Sequence, residues 1–406
     1  MDKKLRVGII GLGNRGRSIY NLMLTIPEAE IVALCDIYQP YMDKALEIAK
    51  EKGNDPKVFT DYNELLNKEL VDAVLVITSW ETHCEIAMAA MEKGIPVAME
   101  VCGAYDVQSC WDLVHTYERT QTPFMFLENC CYGRYELMVL DMVRKGLFGK
   151  VVHCDGAYAH DLRDEVINGK IGWHYRYSNY LHRNCDNYPT HEIGPIAKIL
   201  KINHGNRFLK LNSFGSRSYG MHEYIKENHS DDEELMNAEF AQADVITTVI
   251  TCANGETVTI KLDTTLPRFY SRDFTVHGTR AMYSELNNAL IIEGEYKEEW
   301  NHNYWNNAEA ALEKYESPIW KQFQEEGVKG GHGGMDGLVY SAFVDAVLGG
   351  HDMPIDVYDA ATWMVITALT EQSLAAGGAP VAFPDFTLGK WKLDNEPKNP
   401  GRYHIY

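Results

Sequence analysis

The sequence predicts an α/β protein in two parts. A doubly wound parallel sheet comes first, followed by an α+β domain on a large, open, mostly antiparallel sheet. Three observations carry this expectation. Up to Asn129, short apolar β-prone runs alternate with amphipathic helical patterns. The first of these strands runs into "GLGNRG" where the first helix should begin. Beyond Asn129 the alternation gives way to longer β-rich segments. Strands alternating with helices build parallel sheets covered on both faces, whereas successive strands tend to pair antiparallel.

Taken in order, "LRVGII" reads as a strand, "RSIYNLMLTIP" as a helix and "EIVALCD" as the second strand. The pattern continues through "VDAVLVITS", "HCEIAMAAMEKG", "IPVAMEV" and "VQSCWDLVHTYERT" to "PFMFLEN". This places one domain over 1–128 and a second over 129–406. The second opens with a helix, "YELMVLDMVRKG", and then carries "KVVHCDGAYAH", "FLKLNSFGS", "DFTVHGTRAMYSE" and "ALIIEG" as strands. Between "DVITTVITC" and "TVTIKLDTTL", the Asn254-Gly255 pair signals a hairpin. The charged run "ENHSDDEEL" (227–235) reads as a solvated loop. "LVYSAFVDAVLGG" and "AATWMVITALTEQSLAAGG" read as buried or amphipathic helices that stop at glycines.

At 406 residues the chain is long enough for two or three domains, and 45% hydrophobic with 24% charged residues is ordinary for a globular protein. A formal charge of −20 opposes binding to nucleic acid or an anionic membrane. No apolar run reaches the roughly 18 residues of a membrane span. "MDKKLRVGIIGLG" is basic and then apolar, yet it lacks the small-residue cleavage site of a signal peptide. The nine cysteines show no CxxC pairing, and Cys130 and Cys131 are adjacent. A reducing, cytoplasmic setting is expected.

Gly11, Gly13 and Gly16 form GxGxxG between a strand and a helix. The first glycine permits the tight turn, the second lets backbone approach a pyrophosphate, and the third lets the helix pack closely. This is the Rossmann fingerprint, and Asp36 stands 20 residues after Gly16 at the end of the second strand. A carboxylate there accepts from a ribose 2′-hydroxyl and repels a 2′-phosphate, so NAD is expected over NADP. Arg15 is compatible with a role at the pyrophosphate.

"RVGIIGLGNRG", "ALCD", "DAVLVITSWETHCEIAMAAMEKGIPVAMEV" and the β-rich second half resemble the Gfo/Idh/MocA oxidoreductases over nearly the whole chain. Those dehydrogenases usually carry Glu-Lys-Pro where this chain has Glu100, Val101 and Cys102. The missing lysine argues against a simple alcohol dehydrogenase. "SWETH", "LENCCYGRYELMVLDMVRKGLFG", "AYAHDLR", "YPTHEIGPIA", "PRFYSR" and "GGHGGMD" together resemble the NAD-dependent glycosidases of glycoside hydrolase family 109 (alpha-N-acetylgalactosaminidase-like). That resemblance implies cofactor contacts at Asn14, Arg15, Asp36, Trp80, His83, Glu100, Val101 and Asn129. It also implies substrate or catalytic roles for Arg176, Tyr188, His191 and Tyr270. Thr82 and Cys102 depart from the branch, which often has a bulky aromatic and a proline there. Homo-oligomerisation through the open sheet face is a further implication.

Such an enzyme oxidises sugar C3, eliminates the glycosidic oxygen after losing the C2 proton, adds water and returns the hydride, with retention. It needs one group for the C3 hydroxyl proton and another for the C2 proton. His191 suits the first role because imidazole titrates near neutrality. Tyr188 and Tyr270 are candidates for base, acid or sugar contact, and Arg176 suits forked bonds to sugar oxygens. His332, set among four glycines, is a second acid–base and substrate candidate. Trp173, Tyr175, Tyr177, Tyr180 and Tyr188 supply flat faces for a pyranose, or simply pack a loop. His160 and Asp161 are adjacent and diverge on a strand, so no metal site is expected. The alternatives are an NAD-dependent sugar or inositol dehydrogenase and a catalytically silent NAD-bound protein.

Overall fold

The computed structural model describes residues 4–172, 174–295, 304–393 and 397–405; Trp173 lies outside the described residues. Two compact units interleave along the chain. The first contains the chain up to Arg134, Pro318–Thr362 and the C-terminal residues; the second contains Tyr135–Ser317 and the segment from Trp363.

The first unit holds β1 (Leu5–Ile10), β2 (Ala29–Cys35), β3 (Lys57–Phe59), β4 (Ala73–Val76), β5 (Val97–Met99) and β6 (Phe124–Phe126). Their spatial order is β3-β2-β1-β4-β5-β6, and every neighbouring pair is parallel. This is the doubly wound order of dinucleotide-binding sheets. The central strands are apolar without alternation because helices cover both faces: Val7, Ile9, Val74, Leu75, Val97 and Ala98 are all buried. The helix Met335–Gly349 is buried over most of its circumference and packs against β1 and the 3₁₀ turn Asn129–Tyr132. Left-handed glycines, Gly334 and Gly350, bracket it.

In the second unit, β7 (Val151–Ala159), β8 (Phe208–Gly215), β9 (Val245–Cys252), β10 (Thr257–Asp263), β11 (Thr275–Gly278), β12 (Ala281–Ser284), β13 (Ala289–Ile292) and β14 (Val381–Ala382) form one sheet. The order is β13-β12-β11-β7-β10-β9-β8-β14, antiparallel except where β7 meets β10. The expected hairpin joins β9 to β10, with Gly255 in the left-handed region at φ +100°. Alternation sets the two faces. Ile246, Ile250, Val258, Ile260 and Leu262 point into the core, while Val245, Thr247, Val249 and Thr251 stay partly or fully exposed.

The helix Thr190–Ile199 lies on β7 and β10, with Pro189 at its cap. A Cβ on Gly156 of β7 would stand 2.4 Å from the Glu192 carbonyl oxygen, so glycine is what lets helix and strand approach. The 227–235 stretch is not a plain loop. It joins the helix Gly220–Asn228 to a short helix, Glu233–Met236, which Asp232 caps at Leu235 N–H (3.0 Å) while also holding Lys170 (3.0 Å). The excess of acid there serves a helix start, where carboxylates are favoured. All nine cysteines are free and buried. Among the described residues, no helix is long and apolar enough to cross a membrane.

Candidate active site

In the first unit the three fingerprint glycines play distinct parts. At Gly11, with φ +98°, a Cβ would meet the Ile77 carbonyl oxygen at 2.3 Å; at Gly16 it would meet the Gly11 oxygen at 2.0 Å. Those two positions close the turn and seat the helix Asn14–Met23. At Gly13 the nearest atom would be 3.9 Å away, on the Tyr41 ring, which leaves open space against the backbone. Asp36 accepts from the N–H groups of Leu12 (2.6 Å) and Tyr38 (2.8 Å), so its carboxylate is fixed beside the turn. Arg17 bonds the Leu12 carbonyl and the Asn14 side chain. Open backbone at a helix start with a tethered acid at the end of β2 fits a dinucleotide with a free ribose 2′-hydroxyl.

Trp80 begins the helix Trp80–Glu92 and is buried. One turn on, the His83 ring lies between the carbonyl oxygens of Cys102 (2.9 Å) and Thr78 (3.1 Å), tying this helix to the segment after β5. Burial lowers the His83 pKa against the pull of those carbonyls. Val101 and Cys102 are buried beside it.

Arg15, Asn129 and His332, far apart in sequence, converge on Asp336, and Glu100 joins them through Arg15. The Arg15 guanidinium is forked onto Asp336 (2.7 and 2.9 Å) and also bonds Glu100 (2.9 Å). Asn129 donates to Asp336 (2.8 Å), His332 Nδ1 lies 2.9 Å from it, and the Tyr340 hydroxyl donates to Glu100 (2.7 Å). Burial works against the Asp336 charge, but His332 and Arg15 outweigh it and hold the carboxyl well below the usual range. The arginine expected at the pyrophosphate is thus clamped between two buried acids. Sequence reasoning gave no role to Asp336 or Tyr340. The available signal was an acid directly after "GGHGGM", at the start of a helix.

The second unit assembles a different cluster. Tyr158, on β7, is its centre: ring centroids lie 4.4 Å from Tyr188, 5.6 Å from His191, 5.9 Å from His160 and 6.4 Å from Tyr270. Tyr188 and His191 meet edge to face at 4.8 Å, and His160 meets Tyr270 at 5.3 Å. The Arg176 guanidinium sits 4.9 Å over the Tyr188 ring and forms an ion pair with Glu165 at 3.0 Å. Burial pushes the Tyr158 phenol up, with Arg176 pulling the other way, so it stays protonated at neutral pH. Burial disfavours the Arg176 charge, yet the guanidinium stays charged against the Glu165 carboxylate. Burial also lowers His160, leaving it neutral.

Four residues singled out from sequence, Arg176, Tyr188, His191 and Tyr270, therefore meet in one place. Tyr158 was missed, although it shares a strand face with His160 two residues on. Asp161 turns away to Arg163 (2.7 Å). Tyr180 is buried with its hydroxyl on Thr264 (2.7 Å), Tyr177 packs edge-on against Phe240, and Tyr175 stacks on His174. Among the described residues of that aromatic run, only Tyr188 joins the cluster. His332 lies in the first unit, on Asp336.

Fold and glycine turn define a nucleotide-dependent oxidoreductase architecture, and residues 5–127 match the model for the oxidoreductase family with an NAD-binding Rossmann fold. Residues 132–393 match the glycosyl hydrolase 109 C-terminal domain. An alpha-N-acetylgalactosaminidase of Tannerella forsythia is 39% identical over 96% of this chain and 88% of its own length. One from Shewanella oneidensis is 38% identical over 96% and 86%. The chain belongs to glycosyl hydrolase family 109: it is a glycosidase built on an NAD-binding oxidoreductase fold. Scyllo-inositol dehydrogenase from Lactobacillus casei, solved with NAD(H) and scyllo-inositol, shares that fold at a TM-score of 0.65, with 14% identity over 94% of this chain and 99% of its own.

Proposed function

We propose that this chain is a retaining glycosidase acting on N-acetylhexosaminides or related hexosides, with NAD as a reagent regenerated in every turnover. The observation that carries the reading is the Tyr158–Tyr188–His191 cluster under Arg176, in a protein with valine where dehydrogenase relatives place a lysine. Gly11, Gly13, Gly16 and Asp36 would hold the dinucleotide, with Asn14, Arg15, Trp80, His83, Glu100, Val101 and Asn129 shaping its surroundings. When bound, NAD supplies a hydride acceptor for sugar C3 and returns that hydride at the end of the cycle.

The protein's own groups handle the protons. His191 takes the proton of the C3 hydroxyl and gives it back on re-reduction. A carbonyl at C3 acidifies the C2 proton, and Tyr188 removes it; the Arg176 charge over its ring stabilises the phenolate formed in that step. Tyr158, protonated, donates to the developing enolate oxygen. Tyr270, partly exposed beside neutral His160, protonates the leaving glycosidic oxygen. Water then adds at C1, on the face the leaving group vacated.

The test is hydrolysis of aryl N-acetylhexosaminides in D2O. Expected are release of the aglycone, retained anomeric configuration, deuterium at C2 of the product and no accumulation of NADH. Failure to cleave any aryl hexoside or N-acetylhexosaminide would falsify the reading, and net NADH formation with free sugars or inositols would favour a dehydrogenase. We also propose a homo-oligomer joined through the open face of the second sheet. The β-branched row Val245, Thr247, Val249 and Thr251, with exposed Phe214 beside it, supports this. Light scattering after size exclusion should give a multiple of the chain mass, and Val249→Lys with Phe214→Glu should reduce it.

A further inference from the structure

Two carboxyl groups that the mechanism does not use flank the Tyr188–His191 pair. Asp186 and Glu192 are both almost fully buried. Asp186 Oδ1 accepts from the Tyr188 N–H at 3.3 Å, and its own N–H donates to Thr370 Oγ1 at 2.9 Å. Its side chain therefore sets the turn that delivers Tyr188 to the helix. Glu192 lies in the first turn of that helix, whose backbone at this residue presses on Gly156.

The two buried carboxyl groups act on each other's protonation. No fixed N–H or hydroxyl donor satisfies Asp186 Oδ2 or either Glu192 oxygen in good geometry. The backbone N–H groups of Tyr158 on β7 and Lys261 on β10 are turned toward Glu192. The nearby cations are largely committed: the Lys261 ammonium goes to Asp273 (3.1 Å), Arg183 pairs with Glu371, and Lys198 sits over the Trp363 ring. On the same helix, His191 is the other titratable neighbour. Two adjacent buried carboxylates cannot both ionise cheaply, so a proton between them is the economical arrangement. Burial pushes both well above the usual carboxylate range, with Asp186 adding to the effect at Glu192 and the Tyr188 N–H opposing it at Asp186.

We propose that Asp186 and Glu192 form a proton-sharing carboxyl pair that positions Tyr188 and His191, and that losing the shared proton loosens both. This rests on Tyr188 and His191 being the proton-handling pair. Because the folded-state values are raised, the pair's contribution to stability is fully present below the ordinary carboxylate range, near pH 4, and is lost as pH rises through the raised values.

The experiment compares the wild-type protein with Glu192→Gln, Asp186→Asn and Asp186→Ala. Melting temperature is read from about pH 5 to about pH 9, where the linked protons should be lost. Infrared difference spectra at neutral pH report a protonated carboxyl. The wild type should melt lower as pH rises and show the carboxylic C=O band. Glu192→Gln and Asp186→Asn should flatten the pH dependence and abolish the band. Asp186→Ala should lower kcat by about 100-fold with little change in KM, as expected for misplaced reacting groups. Wild-type pH dependence and an unchanged band in both conservative variants would overturn the proposal, as would wild-type kcat in Asp186→Ala. If the wild type cleaves no glycoside, the proposed activity fails, while the melting and infrared results still decide whether the pair exists.

Discussion

Alanine in place of His191 lowers kcat/KM on aryl N-acetylhexosaminides by about 10²- to 10⁴-fold, the range for removing a positioned general acid–base. The histidine is almost buried, and its ring contacts are the two tyrosines it has to work with, at 4.8 and 5.6 Å. Losing the imidazole removes the acceptor for the C3 hydroxyl proton and leaves space beside Tyr158. The space alone should cost about 1–3 kcal/mol of stability, as for other partly collapsed core sites. That is small enough for the variant to be purified folded. The glycine turn and Asp36 are untouched, so nucleotide content should match the wild type. Steady-state kinetics with nucleotide quantified in the same preparation separates the outcomes. Undiminished turnover with full nucleotide would assign the chemistry to another group, whereas loss of both would show a folding defect.

Local features of this protein were legible in the sequence because their causes are local. A glycine turn between strand and helix needs only neighbouring residues, and the Asn254-Gly255 hairpin is set by backbone conformation. Tyr188 and His191 stand three apart across the Pro189 cap of one helix, so their meeting is set within a few residues of chain. The less legible features are those made by the tertiary fold. Tyr158 reads as an ordinary strand aromatic until β7 meets the Thr190–Ile199 helix. Asp186 and Glu192 read as a turn residue and a first-turn acid, both favoured there by propensity, and only burial turns them into a carboxyl pair. The run 227–235 shows the converse. Its charge looked like solvation, yet Asp232 is occupied with a cap and a lysine. Composition records how many charges a segment carries, and the fold decides what each of them faces.

Asp336 is the sharpest instance, and its removal should have the second large effect. Asp336→Ala strips the forked partner from Arg15, the acceptor from Asn129 and the ring partner from His332 in one step. Breaking a buried ion pair by deleting one member costs about 3–5 kcal/mol, because the remaining charge stays desolvated. Glu100 still bonds Arg15, which places the expected loss toward about 3 kcal/mol. The pH dependence has a definite sign. A carboxyl held below its ordinary value stabilises the fold above the unfolded value, near pH 4, and that contribution disappears as pH falls toward the folded value. Wild-type protein should therefore lose stability on acidification over a range in which Asp336→Ala has little left to lose. Urea unfolding at pH 7 and at mildly acidic pH measures both effects. Bound nucleotide, quantified on the same samples, should also drop, because Arg15 and Asn129 lose the residue that fixes them beside the glycine turn. Asp336→Asn keeps an acceptor for Asn129 but not the charge, and should fall between the two. An alanine variant with the wild-type midpoint and full nucleotide would mean that Glu100 alone suffices to hold Arg15, and that the converging bonds on Asp336 are redundant.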